Sequence, residues 1–109
     1  MSSAHYIIIN TCPDAESAER LARTLLDRKL AACINILPGV KSLYTWKGAS
    51  ENTEEFLLLI KTLSNAYQAV EQAILELHPY ELPEIIAVPI AAGLPGYLAW
   101  VTENTDTPI

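Results

Sequence analysis

Three observations on this chain of 109 residues predict an α+β sandwich with the split βαβ order. Apolar residues recur at helical spacing over two segments, 14–29 and 64–77. Four other segments are rich in β-branched and apolar residues, and the elements alternate as strand, helix, strand, strand, helix, strand before a short terminal helix. Right-handed crossovers make each helix-linked pair of strands parallel with a strand between them, which predicts the spatial order 4-1-3-2.

Strand one is residues 6–10, and Thr11-Cys12-Pro13-Asp14 closes it with small polar residues and a proline that mark a helix start. Helix one follows over 14–29, where Ala15, Ala18, Leu21, Ala22, Leu25 and Leu26 lie three and four apart with charges opposite. Residues 31–46 read as one long strand kinked at Pro38-Gly39. Lys47-Gly48-Ala49-Ser50-Glu51-Asn52 is turn chemistry, and residues 55–61 form the returning arm of a long β-hairpin, buried on both faces. Ser64 is the expected N-cap of helix two, whose apolar stripe is Tyr67, Val70, Ala73, Ile74 and Leu77. Pro79 ends that helix. Residues 85–90 form strand four, and Pro89 within it removes a ladder donor, so this strand belongs at a sheet edge, as the order also requires. Gly93-Leu94-Pro95-Gly96 is a turn before a short third helix carrying Tyr97, Leu98, Trp100 and Val101, and a polar tail.

With 50% hydrophobic residues, the chain reads as a single domain, 1–109, able to bury about two-thirds of the surface of its unfolded form. Thirteen acidic against seven basic residues give a net charge of -6 with no basic cluster, which argues against a nucleic-acid partner. The first ten residues lack the charge and apolar length of a leader, and no apolar run approaches the ~18 residues that span a bilayer. A cytoplasmic protein without a membrane partner is expected. Cys12 and Cys33 lack zinc-type or redox-type spacing, and a reducing compartment keeps both as thiols.

The topology predicts which side chains meet. Cys12 ends strand one at the upper rim, and helix two runs upward to deliver His78 there, beside Asn10, Trp46 and Glu81 or Glu84. Cys33 starts strand two at the lower rim, too far from Cys12 for a disulfide or a shared metal. A thiol, an imidazole and carboxylates on one rim suit a soft or borderline metal such as copper or zinc. The plainer reading of His78 is a helix C-cap favoured by the dipole. A helix N-terminus beside Cys12 is expected to favour its thiolate. Nucleophilic catalysis with His78 as base lacks an orienting third group, so the chain reads as no enzyme. His5 is expected to be solvated, Lys61 to snorkel to water, and Tyr44, Trp46, Tyr97 and Trp100 to serve core or interface. The four glycines form no phosphate loop.

The motifs Leu30-Ala31-Ala32-Cys33, Ser42-Leu43-Tyr44-x-Trp46-x-Gly48, Lys61-Thr62, His78-Pro79-Tyr80-x-x-Pro83-Glu84 and Tyr97-Leu98-x-Trp100, with Pro38 and Glu55, resemble the CutA divalent-cation tolerance family from strand one to the terminal helix. The resemblance implies a ferredoxin-like subunit in a homotrimer whose long hairpins pair between copies. It also implies a role in tolerance of copper or another divalent metal ion. His78 carries over as a metal ligand and Cys33 as a second. Positions that hold a cysteine and a further histidine in some members are Asn10 and Leu77 here, and Cys12, on the same side of its strand as Asn10, takes the vacant thiol role. Tyr44, Trp46, Glu55, Lys61, Tyr80, Glu84 and Trp100 are expected to gather near intersubunit clefts. The alternative function is a trimer resembling PII-like signalling proteins, binding a small anionic effector in those clefts through groups such as Lys61, or a scaffold for a protein partner.

Overall fold

The structure is a computed structural model and describes residues 4–106. Residues 1–3 and 107–109, which carry the start of the leader reading and the end of the polar tail, lie outside the described residues. The elements run β1 (His5–Cys12), α1 (Ala15–Asp27), β2 (Cys33–Trp46), β3 (Ala49–Leu63), a 3-10 turn (Ser64–Ala66), α2 (Tyr67–Leu77), β4 (Ile85–Pro89) and α3 (Pro95–Glu103). One sheet has the order β2-β3-β1-β4, with every neighbouring pair antiparallel. This is the expected order, and Pro89 does lie on an edge strand, opposite Tyr6.

Strand alternation sorts the sheet into two faces. On one, Ile8 and Cys12 of β1 and Leu58 and Ile60 of β3 are fully buried with Leu21 and Leu25 of α1 and Val70 and Ile74 of α2. Each such aliphatic side chain contributes about 1.5–3 kcal/mol by leaving water. On the other face, Ile7 and Ile9 of β1 align with Leu59 of β3 and with Ile86 and Val88 of β4. There Ile86 and Val88 remain 51% and 44% exposed.

Local chemistry accounts for the boundaries. Asp14 caps α1, its Oδ1 accepting the Ser17 N–H at 2.7 Å. Lys29 takes a left-handed conformation, φ 56°, after α1, and the Leu30 N–H donates to the Leu25 carbonyl at 2.9 Å, closing the helix end. The turn expected over 47–52 is only Lys47-Gly48, both with positive φ, the geometry that matches the twist of a two-residue hairpin. Strand β3 therefore starts at Ala49, six residues before its expected start, because this tight turn leaves the polar residues 49–54 free to pair with β2. The kink at Pro38-Gly39 is a register shift between Leu37 and Val40. β1 also runs on through Thr11 and Cys12, which still pair with Leu57 and Phe56. Ser64 does not cap α2: it opens the 3-10 turn, and its N–H donates to the Ala4 carbonyl at 2.8 Å. Among the described residues no helix is long and apolar enough to cross a membrane.

β1 pairs only with residues 56–63 of β3, so the distal arms of the hairpin, Val40 to Trp46 against Ala49 to Glu55, project beyond the third and fourth strands. That projection stretches the molecule to 43 × 27 × 24 Å.

Candidate functional site

His78 is the residue at which α2 stops. Its backbone is extended, φ -75° and ψ 137°, as the following Pro79 demands, and its N–H still reaches the Ile74 carbonyl at 2.8 Å. This directs the ring across the end of β1. His78 Nε2 lies 2.7 Å from the Thr11 carbonyl oxygen, so Nε2 carries the proton and donates it. Nδ1 accepts the Tyr80 N–H at 3.1 Å. Both ring nitrogens are thus used by a neutral imidazole. Burial pulls the His78 pKa below its ordinary 6.5, although the Thr11 bond and the charge of Glu55 act in the other direction.

Cys12 Sγ lies 3.7 Å from His78 Nε2 and donates to Asn10 Oδ1 at 3.4 Å, and Asn10 Nδ2 donates to the Glu84 carbonyl at 2.8 Å. This chain of polar groups runs from the end of α2 through β1 to the start of β4. The expected thiolate is overturned. Burial raises the Cys12 pKa from 9.0 to about 11, against a lowering hydrogen bond from Ser17, so desolvation outweighs the field at the start of α1.

Beside this cluster opens a cleft of about 720 Å³ between the projecting hairpin and the turn after α2, lined by Thr11, Tyr44, Trp46, Glu55, Tyr80, Glu81 and Glu84 among others. Glu55 is buried, and its Oε2 accepts the Tyr80 hydroxyl at 2.6 Å. The Tyr80 pKa is raised by burial first and then by Glu55. At the rim, Lys47 Nζ lies 3.8 Å from Glu81 Oε2 and 5.6 Å from the centre of the Trp46 ring, tying the hairpin tip to the turn.

The structure thus brings Cys12, His78, Tyr44, Trp46, Glu55, Tyr80 and Glu84 to one end of the sheet, but leaves Cys33, Lys61 and Trp100 at the other. Cys33 pairs with Lys61 across β2 and β3, five positions along β3 from the partner of Cys12, roughly 16 Å at strand rise. Lys61 is half-buried. Its Nζ lies 3.9 Å from Cys33 Sγ and donates to Asn35 Oδ1. Trp100 packs on Tyr97 within α3, ring centres 5.6 Å apart. His5, expected to be solvated, instead bonds through Nε2 to the Leu98 carbonyl and to Thr102 Oγ1, both at 3.0 Å, fastening α3 to β1. Asn10 and Thr11 carry more of the site than a reading by residue chemistry suggests. Their position at the end of β1 was the available signal.

A family model described as CutA1 divalent ion tolerance protein matches residues 6–104. The divalent-cation tolerance protein CutA of Thermus thermophilus is 43% identical over 99 residues, 91% of this chain and 96% of that protein. The mouse protein CutA is 41% identical over 97 residues, but the chain spans only 55% of its length. Among solved structures, CutA from Xylella fastidiosa superposes with a TM-score of 0.92 at 47% identity, covering 95% of this chain and 100% of that one. The structure titled as the periplasmic divalent cation tolerance protein CutA of Archaeoglobus fulgidus gives 0.91 at 41% identity, over 94% and 99%.

Proposed function

The chain belongs to the CutA1 divalent ion tolerance family, and from that premise we propose that it acts in metal tolerance by binding copper or another soft or borderline divalent metal ion, without catalysing a reaction. The observation that carries this reading is the 3.7 Å between Cys12 Sγ and His78 Nε2. One tetrahedral ion held by a thiolate and an imidazole sets sulfur and nitrogen about 3.5 Å apart, so the pair fits an ion with little movement. Loading costs the Cys12 proton and the His78 bond to Thr11. Affinity therefore rises with pH. Cys33 lies at the other end of the sheet and forms no part of this centre.

A homotrimer is part of the same proposal. The face opposite α1 and α2 offers Leu37, Ile86 and Val88, the projecting hairpin offers Leu43 and Tyr44, and β2 and β4 are open edges. Copies that pair these surfaces bury apolar area and remove the edges. The anionic-effector reading loses Lys61 within one protomer, because that residue is remote from the cleft, whose lining charges are Glu55, Glu81 and Glu84 and whose rim cation, Lys47, is paired with Glu81. A reducing compartment such as the cytoplasm keeps both cysteines free, as they stand here.

Calorimetric copper titration of the reduced protein, with light scattering in the same buffer, tests the reading. The expected result is a trimer binding one ion per subunit, with binding lost and the trimer kept in His78→Ala and Cys12→Ser. A trimer that takes copper without stoichiometry, or equally well in both variants, overturns it.

A further inference from the structure

Glu55 is only 5% exposed, and a carboxylate taken that far out of water is costly unless a cation or several hydrogen bonds compensate. Among the described residues no lysine or arginine pairs with it, since the ion pairs are Arg20–Glu16, Arg23–Glu19, Arg28–Glu76 and Lys47–Glu81. The Tyr80 hydroxyl donates to its Oε2 at 2.6 Å, which leaves most of the acceptor capacity of the carboxylate unused.

The fold sets the Cys12–His78 pair beside this charge. Glu55 adjoins Phe56, the ladder partner of Cys12. Tyr80 joins Glu55 to the imidazole, because the Tyr80 N–H donates to His78 Nδ1 at 3.1 Å and the two rings lie 4.8 Å apart. Burial dominates the pKa shifts of Cys12 and His78, and the Glu55 charge is a further, upward influence on each. The other carboxylates nearby, Asp14, Glu81 and Glu84, are exposed, where water screens them.

We propose that Glu55 is the counter-charge of the metal centre, a positioning residue held by Tyr80 that stabilises a divalent ion on Cys12 and His78 without touching it. This rests on the metal reading above. A divalent ion against a single thiolate leaves one positive charge uncompensated among buried groups, and Glu55 supplies the missing negative charge where the effective dielectric is low. Among the described residues no three of His, Cys, Asp and Glu lie close enough to hold an ion together, so Glu55 acts from outside the donor set. In the metal-free protein the same carboxylate has no cation opposite it and works against folding. Binding and stability therefore respond to its charge with opposite signs.

The test is zinc(II) calorimetry on the reduced protein, with urea denaturation and light scattering of the metal-free protein, for the wild type and Glu55→Gln. Zinc is chosen because it does not oxidise the thiol. Gln keeps the shape of the side chain and an oxygen for the Tyr80 hydroxyl but carries no charge. Zinc affinity is expected to fall about 10–100-fold in Glu55→Gln, while the metal-free variant keeps its assembly mass and unfolds at the same or a higher urea concentration. A lower urea midpoint or a lost assembly in Glu55→Gln overturns the proposal, because it shows the carboxylate paired structurally, with a cation of another copy for example. Equal zinc affinity in the two proteins overturns the counter-charge alone and leaves the metal reading standing. A wild type that takes no zinc and no copper overturns both.

Discussion

The two ends of the sheet use the same residue types to opposite effect. At the upper end Cys12, His78 and Asn10 lie where β1 meets the end of α2, and the two titratable groups are held in their neutral forms by burial. At the lower end Cys33 and Lys61 lie on the face without α1 and α2, partly open to water. A thiol in the core is constrained by its neighbours, and a thiol on the face without those helices keeps part of its surface in one protomer. The difference lies in which face of the sheet the helices cover, since both cysteines sit at strand ends.

If that contrast is right, the largest effects of substitution fall at the upper end. Asn10→Ala, which removes a fully buried amide and strands the Glu84 carbonyl and the Cys12 thiol, is expected to cost about 2–4 kcal/mol in urea denaturation. Tyr80→Phe deletes the hydroxyl bonded to buried Glu55 and is expected to cost about 1.5–3 kcal/mol, without the loss of bound copper that His78→Ala produces.

The pH dependence follows the same division. His78 titrates below 6.5 in the fold, so its contribution is complete above that value and is lost as pH falls through it and on through the lowered folded pKa. Cys12 titrates near 11 in the fold against 9.0 ordinarily, so its contribution is complete below pH 9 and is lost as pH rises toward 11. Stability curves are expected to sag on both sides, with the acid limb flattened in His78→Gln and the alkaline limb in Cys12→Ser. The smallest effect is at the lower end, where Lys61→Met is expected to change stability by less than about 1 kcal/mol. An effect there as large as that of Asn10→Ala would break the comparison.

Much of the site was legible before any coordinates. Chain direction and crossover handedness suffice to put Cys12, His78, Trp46 and Glu84 on one rim, and to keep Cys33 away from Cys12. Protonation was not legible, because the helix N-terminus beside Cys12 is visible in sequence and the burial that outweighs it is not. The resemblance implies that Lys61 and Trp100 lie near intersubunit clefts, and within one protomer strand register sets Lys61 opposite Cys33, away from the cleft beside His78. His5 shows no pattern that announces α3 as its partner, since that contact joins residues 93 and 97 positions apart.

Periodicity, proline positions and element order determine the four strands, the helices and the sheet order, since these depend on local conformation and on the single hand of crossovers. Two positive-φ residues at Lys47-Gly48 decide how far the hairpin pairs, and only the folded chain reveals it. Tertiary structure alone decided which side chains are dry and what they touch: the neutral Cys12 and His78, the buried Glu55 under Tyr80, and the lysine turned back on Cys33. The physical reason is that desolvation and side-chain contact depend on residues distant in the chain, which no local pattern encodes.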